Sequence, residues 1–567
     1  MWKLIVPCAL LVTAAAGGSC KLPGPAFPAP REAARSAIFD RASKDFLSSL
    51  NKILYPTGPS QAASIDPDLT SFAVEVYSAR DSEPLFAHYH TATTARNNTV
   101  GVNEVDRDTV FRIGSISKLW TVLLLLLETG DALFNEPVTK YIPELRAAMT
   151  SRDEIDHVQW DEVTIGTLAS QMAGVERSYG LGDLCTSTDP MLGLGFPQVP
   201  DSDVPVCGLQ PACSRSQYFA GLLSRHPIVP VSSTPAYSND AYQLLGYVLE
   251  SITGKPVDEL LEGRLINPLG LTHSYYSPPA DHTGGIIPGS IAASAWDLDL
   301  DDLTPAGGMY SSAGDLSTIG RAILNHELLP PAQTRRWMKP VAYATEPNFA
   351  VGAPWEIVSL TEPRLISLYT KSGDLGGYSA LVGLSPDHGV GFTILVAGGS
   401  TNPAAQTLGD LVSTTLISSL EGVAKEEAKR RFAGTYTSAD GNSSITIRTD
   451  HNLGLRVTQW TNNGKDMFDA LRTLQPWIPA GKVDLRLYPT GLESPGKISF
   501  RSAVTKGSPS GPGMGPFTKQ CKAWMQVDGL VYGSVGLDEF VFHVGDDAAA
   551  TSVSPRALRV SLHRVGH

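Results

Sequence analysis

The sequence predicts a mixed α/β (α+β) chain in two parts, a large helix-and-strand domain followed by a separate antiparallel β domain. Three observations carry that prediction. First, "TSFAVEVYSA" and "PLFAHYHTA" alternate apolar and polar residues around Arg-Asp-Ser-Glu, the pattern of a β-hairpin. Second, "SLYTKSGDLGGYSALVGLSPDHGVGFTILVAGG" holds three strand-like runs separated by turn residues, with helical stretches expected at about 33–54 before it and about 404–430 after it. Third, beyond "RRFAGTYTSADGNSSITIRTD" the texture changes to short alternating segments, from "SITIRT" and "LGLRVTQW" through "VDLRLYP", "LVYGSV" and "EFVFHV" to "LRVSLH". Residues 431–567 therefore read as an antiparallel barrel or sandwich, and 20–430 as the larger domain.

At 567 residues the chain can bury a large core in more than one domain. Only 18% of residues are charged, below the usual quarter, and the formal charge is −13 with no basic stripe, which argues against nucleic acid as a partner. The start, "MWKLIVPCALLVTAAAGGSC", places one lysine before an apolar stretch and small residues, the pattern of a signal peptide over 1–19. Secretion follows as an expectation, with no membrane attachment after cleavage. The other apolar run, Leu119 to Leu127, is too short to span a bilayer.

The mature chain keeps Cys20, Cys185, Cys207, Cys213 and Cys521. Outside the cell pairing is expected, and an odd count leaves one over that spacing does not identify. Three of the five fall in 178–233, a Pro-, Gly- and Asp-rich stretch longer than an ordinary connection, read as a stapled lid or binding loop. Two glycosylation sequons begin at Asn97 and Asn442. His88 and His90 share a strand face, but no H-E-x-x-H follows and no metal site is expected; no G-x-S-x-G is present for an α/β-hydrolase.

Chemistry concentrates in "FRIGSISKLWTVLLLLLETG". Ser115 and Lys118 are three apart, so on a helix they share a face, and a lysine desolvated by the leucine run becomes a usable base. Alone the pair reads as an N-cap followed by a surface lysine. Tyr237-Ser238-Asn239 opens the helical stretch "NDAYQLLGYVLESITG" and is the only Y-x-N; Lys371-Ser372-Gly373, at the start of a strand-like segment, is the only K-[ST]-G. Singly these read as an Asn N-cap and a strand-end turn.

Together and in this order they resemble the serine β-lactamase and penicillin-binding protein superfamily, in its class C, esterase-like branch. The resemblance spans roughly 70–420 and includes "VFRIGSISKLWT", "EPVTKYIPEL", "AYSNDAYQLLGYVLESITGKP", "INPLGLTHSYYS" and "PAGGMYSSAGDLSTIG". With the signal pattern and the "CKAWMQVDGLVYGSVGLDEFVFHV" tail, the chain looks most like secreted filamentous-fungal β-lactamase-like proteins. The resemblance implies an antiparallel sheet flanked by helices plus an all-helical subdomain. It implies Ser115 as nucleophile, Lys118 as its base partner, Tyr237 as acid/base for the leaving group, and Asn239 orienting Lys118 and substrate. Lys371 would tune Tyr237 and attract a substrate carboxylate. Backbone N–H groups of Ser115 and Asp374 would form the oxyanion hole, with Ser372 and Gly373 on the substrate-binding strand. No cofactor is implied, and the partner would be a small-molecule or peptide acyl substrate.

Departures are Gln171-Met172-Ala173-Gly174, where many relatives read His-Thr-Ser-Gly, taken as a changed pocket wall, and Asp374, whose carboxylate would stand beside the oxyanion hole and repel anions. "PAGG" reads as a backbone turn. The expectation is a secreted serine hydrolase working through an acyl-enzyme on an ester, lactone, amide or β-lactam carbonyl. Acyl transfer through the same intermediate and a non-catalytic binding or sensor protein are the alternatives.

Overall fold

Strands of the larger part pair into one antiparallel sheet. The computed structural model of the chain describes residues 21–56, 65–96, 99–148, 151–475, 483–504, 515, 517 and 520–566. Its eight strands lie in the order Pro84–His90, Thr70–Ser78, Val390–Gly398, Tyr378–Ser385, Ile366–Leu375, Glu356–Leu360, Phe349–Val351 and Ala342–Tyr343. The first two form the expected hairpin, with Val74 opposite His88 and Phe72 opposite His90. The three runs read around K-S-G form adjacent strands.

Every residue of Thr70–Ser78 is buried, so this strand is covered on both faces. On one face Ser317 of the Ala313–Leu324 helix donates to Glu75 Oε2 (2.9 Å). On the other, Phe46 of the Ala37–Leu54 helix meets Phe86 edge-on at 4.9 Å between ring centroids. Between the first hairpin and Ala342 the elements among the described residues are mostly helices joined by loops, with a small antiparallel pairing of Val110–Arg112 and Tyr310–Ser312. The leucine run forms the Ser117–Thr129 helix, whose residues through Leu126 are all buried, as expected of a helix apolar all round.

The chain divides into two compact units, Ala33–Ser418 on the one hand and Ser419 onward with the segment before Ala33 on the other. Sequence reading put this division at 430/431, after a helix over 404–430. Helical residues instead run as Thr401–Leu411, a π-helical turn Val412–Ile417, and Ser418–Phe432. The division falls earlier because Ala424, Ala428 and Phe432 are buried in the second unit's core.

That second unit is a barrel. Strands Ser444–Arg448, Gly434–Thr437, Leu562–Arg564, Ala550–Pro555, Glu539–Val544, Lys497–Val504, Leu485–Ser494 and Leu455–Asn462 pair in sequence, and the last pairs back on the first. Closure removes the free edges. "LVYGSV" is not a barrel strand but a separate two-stranded hairpin, Val531–Tyr532 with Val535–Gly536. The Met467–Leu474 helix and the Ala550–Pro555 strand have no counterpart in the sequence reading.

The signal pattern over 1–19, Cys20 and the Asn97 sequon lie outside the described residues. Asn442 is exposed at a turn, where its backbone N–H donates to Asp440 (3.1 Å). Among the described residues no helix is long and apolar enough to cross a membrane.

Candidate active site

The chain leaves the Val110–Arg112 strand through Gly114, at φ +51°, and makes a 3-10 turn, Gly114–Ile116, before the α-helix starts at Ser117. Ser115 thus sits in a 3-10 turn ahead of the helix and not in its first α-turn. In 3-10 geometry residues three apart eclipse, which still brings Lys118 over Ser115. Lys118 Nζ donates to Ser115 Oγ at 3.0 Å, to Asn239 Oδ1 at 2.7 Å and to the Ala306 carbonyl at 2.5 Å. Lys118 is fully buried, and burial is the main cause that pushes its pKa down to about 8. The charge of Lys371 adds to that, while Tyr237 and Glu356 oppose it. The second hydroxyl of the stretch, Ser117 Oγ, donates to the Gly114 carbonyl (2.7 Å) and accepts the Met309 N–H (3.1 Å). Its part is to hold the turn.

Tyr237 reaches the same point from 122 residues away, its phenol oxygen 2.5 Å from Ser115 Oγ. Lys118 and Lys371 ammoniums lie 5.0 and 5.8 Å from its ring centroid. Burial works to raise the phenol pKa, but these two cations and the hydrogen bonds with Ser115 and Lys118 together outweigh it, and the net displacement is downward. Asn239 precedes the Asp240–Thr253 helix without capping it through its side chain. The amide instead accepts from Lys118 and donates through Nδ2 to Ser178 Oγ (2.8 Å).

Several residues brace this segment. Gln171 Oε1 accepts the Ser238 N–H (2.7 Å), Ser238 Oγ donates to the Glu176 carbonyl (2.6 Å), and the Asn239 N–H donates to the Arg177 carbonyl (2.7 Å). Gln171, expected as pocket wall, is therefore a brace for Tyr237-Ser238-Asn239. Pro-Ala-Gly-Gly likewise does more than turn: besides the Ala306 carbonyl on Lys118, the Pro305 carbonyl accepts from Thr121 (2.8 Å).

Lys371-Ser372-Gly373-Asp374 lies in the second half of the Ile366–Leu375 strand, not at its start. Lys371 is 1% exposed and ion-paired to Glu356, whose other oxygen accepts the Ser372 N–H (2.8 Å) and Oγ–H (2.7 Å). Desolvation would raise the Glu356 pKa, but Lys371 and Ser372 together hold it below the usual carboxylate range. A lysine so matched has its charge already taken, which corrects its expected second role of attracting a substrate carboxylate. Nothing in the sequence singled out Glu356. Its only local sign is a carboxylate at the start of a strand that pairs with the K-S-G strand, Glu356 opposite Thr370.

Gly114 and Gly373 explain how the two backbones meet. A Cβ on Gly373 would fall 2.1 Å from the Ile113 carbonyl oxygen and 2.7 Å from Ser115 N; one on Gly114 would fall 2.5 Å from Asp374 N. Only glycine permits this approach. Asp374 does not stand free at the pocket edge: its carboxylate accepts from Ser379 Oγ (2.5 Å) and twice from Asn402 Nδ2 (2.9 Å each).

In 178–233, a disulfide joins Cys207 to Cys213, and Cys185 is a free thiol; Cys521 is also disulfide-bonded. This loop and residues 292–298 line a cavity of about 700 Å³ whose wall includes none of Ser115, Lys118 or Tyr237. His90 stacks on Phe72 while His88 lies tilted to the same ring, and His90 Nε2 bonds the Pro67 carbonyl (2.9 Å). Among the described residues no cluster of His, Cys, Asp and Glu could hold a metal ion.

Residues 72–416, more than half of the chain, match the family model described as "Beta-lactamase". The chain belongs to the β-lactamase family. With that it joins the serine β-lactamase and penicillin-binding protein superfamily, whose members support serine hydrolase activity in general. Residues 424–566 of this β-lactamase-family chain match a second model, "Beta-lactamase-like-like, C-terminal domain". A "Beta-lactamase-like protein" of Arthroderma benhamiae is 29% identical over 97% of this chain and 96% of its own length. A "Probable hydrolase M10" of a Phoma species is 27% identical over 75% of this chain and 72% of its own. A solved class C β-lactamase superposes with TM-score 0.47 at 16% identity, covering 67% of this chain and 96% of that one.

Proposed function

We propose that the protein is a secreted serine hydrolase that works through an acyl-enzyme on an ester, lactone, amide or β-lactam carbonyl. The observation that carries this reading is the contact of Ser115 Oγ with both Lys118 Nζ (3.0 Å) and the Tyr237 oxygen (2.5 Å). A hydroxyl flanked by a lysine of lowered pKa and a phenol of lowered pKa can lose its proton to either as it attacks. Ser115 Oγ bonds to the acyl carbon, and the proton it gives up passes through Lys118 and Tyr237 to the departing alcohol or amine. Water then takes the leaving group's place at Tyr237, gives up its proton by the same route, and releases the acid. The N–H groups of Ser115 and Asp374, on facing backbones, would hold the oxyanion, with Ser372 and Gly373 beside the substrate. Losing one such donor costs about 10²–10³ in turnover.

Secretion rests on the leader pattern of 1–19 and on the disulfide chemistry, with Asn442 exposed for glycosylation. The test is intact-protein mass spectrometry after a fluorophosphonate, a penicillin and p-nitrophenyl butyrate in parallel, with peptide mapping. A label on Ser115 that disappears in Ser115→Ala is the expected result. A label that survives the substitution, or no label on folded protein, refutes the reading.

A further inference from the structure

We propose that Arg177 is a specificity-determining residue that binds a carboxylate carried by the substrate. This rests on the acyl-enzyme reading above and adds the chemical class of molecule that reaches Ser115.

Arg177 is exposed, and its guanidinium lies over the face of the Tyr237 ring, 4.9 Å from the centroid. The phenol oxygen at the end of that ring is 2.5 Å from Ser115 Oγ, so the guanidinium stands within about 10 Å of the reacting oxygen, given the size of a tyrosine ring. Ser115 and Tyr237 are themselves partly open to solvent, so one molecule can touch all three. The backbone fixes this placement: the Arg177 carbonyl accepts the N–H groups of Asn239 (2.7 Å) and Asp240 (3.4 Å), tying it to the segment that carries Tyr237.

What sets Arg177 apart is that its charge is unspent. Lys371 is ion-paired to Glu356, and Lys118 is buried among neutral acceptors. The neighbouring acidic residue Glu176 is paired with Arg225 (2.9 Å), and Asp240 accepts the Tyr179 N–H. No carboxylate lies within 4.0 Å of the Arg177 guanidinium among the described residues, and its nitrogens make no hydrogen bond there. A guanidinium placed over an aromatic face with its N–H groups unbonded can donate two of them to one carboxylate. Neither of the two motif lysines offers that.

The shared chemistry is a carboxylate some six bonds from the scissile carbonyl; it can sit on the acyl side or on the leaving group, and two substrate pairs separate these sources. The acyl pair is p-nitrophenyl hydrogen adipate against p-nitrophenyl hexanoate. The leaving-group pair is the butyrate ester of 4-hydroxyphenylacetic acid against phenyl butyrate. In the full chain, one pair is expected to show an anionic preference in kcat/KM. In Arg177→Gln that preference falls about tenfold or more, mostly through KM, and Arg177→Lys restores part of it. The preference also shrinks as salt is raised.

An unmodified protein that favours neither anionic ester overturns the inference, as does a preference unchanged in Arg177→Gln. An equal fall on charged and neutral esters overturns it too, because Arg177 would then act through Tyr237 or the fold. Fluorophosphonate labelling of Ser115 is read alongside. Labelling with no anionic preference removes the inference alone; no labelling removes the acyl-enzyme reading beneath it.

Discussion

Replacing Glu356 by glutamine tests whether the charge balance of the site is built as described. Glu356 accepts from Lys371 Nζ and from Ser372 N–H and Oγ–H at 2.8 and 2.7 Å. Glutamine keeps the shape, but its NH₂ must face one of these donors, and Lys371 loses its counterion while staying 1% exposed. Breaking a fully buried pair costs about 3–5 kcal/mol, and since the Glu356 side chain is 24% exposed the expected loss is about 2–3 kcal/mol. Urea unfolding followed by fluorescence reads it as an earlier transition at neutral pH. The pH dependence has a definite sign. The folded pKa of Glu356 lies below its ordinary value, so its stabilisation is present above that value and is lost as pH falls through the folded one. The gap between the two proteins therefore closes in acid. Activity shifts as well. Glu356 helps to raise the Lys118 pKa, so without it the rising limb of kcat/KM moves to lower pH. A variant with the original unfolding midpoint and an unmoved limb would refute the reasoning.

Three further outcomes follow from the same geometry. Ester kcat/KM rises with pH through about 8, because Lys118 must lose its proton to act as base; a profile flat from pH 6 to 9 counts against that role. Tyr237→Phe keeps the fold, since the hydroxyl bonds Ser115, and lowers kcat about 10²–10⁴-fold, measured by stopped assay beside circular dichroism. Gly373→Ala drives a methyl to 2.1 Å from the Ile113 carbonyl and 2.7 Å from Ser115 N, forcing the two backbones apart. Fluorophosphonate labelling then slows at least about 10²-fold, the loss of one oxyanion donor, and labelling at the original rate would show that the facing N–H groups do no work.

What the sequence could reveal depended on how far a contact reaches along the chain. Ser115 and Lys118 were legible because their relation is a local spacing, and Tyr237, Asn239 and Lys371 because each sits in a three-residue pattern. The hairpin and the three central strands were legible from alternation alone. Their supports were not, since each joins distant segments: Gln171 to Ser238 across 67 residues, Lys118 to Ala306 across 188. Barrel closure also escaped, because the pairing of Leu455–Asn462 back on Ser444–Arg448 leaves no mark on periodicity that a sandwich would lack. The division between the two units falls earlier than the sequence suggests for a related reason: the residues after Ser418 are helical in pattern, and only their burial partners assign them to the second unit.

The motif names two lysines near one phenol and does not say why they should differ. Their partners supply the difference. Lys371 faces the Glu356 carboxylate, which pairs with its ammonium beside Tyr237. Lys118 faces a hydroxyl, an amide oxygen and a backbone carbonyl, all neutral, inside a helix buried on every side. Desolvation there outweighs the opposing pull of Tyr237 and Glu356, and the positive charge of Lys371 adds to it, so the Lys118 proton is loosened toward neutral pH. Glu356 thus acts on both lysines, pairing with one and, through its own charge, partly holding up the pKa of the other.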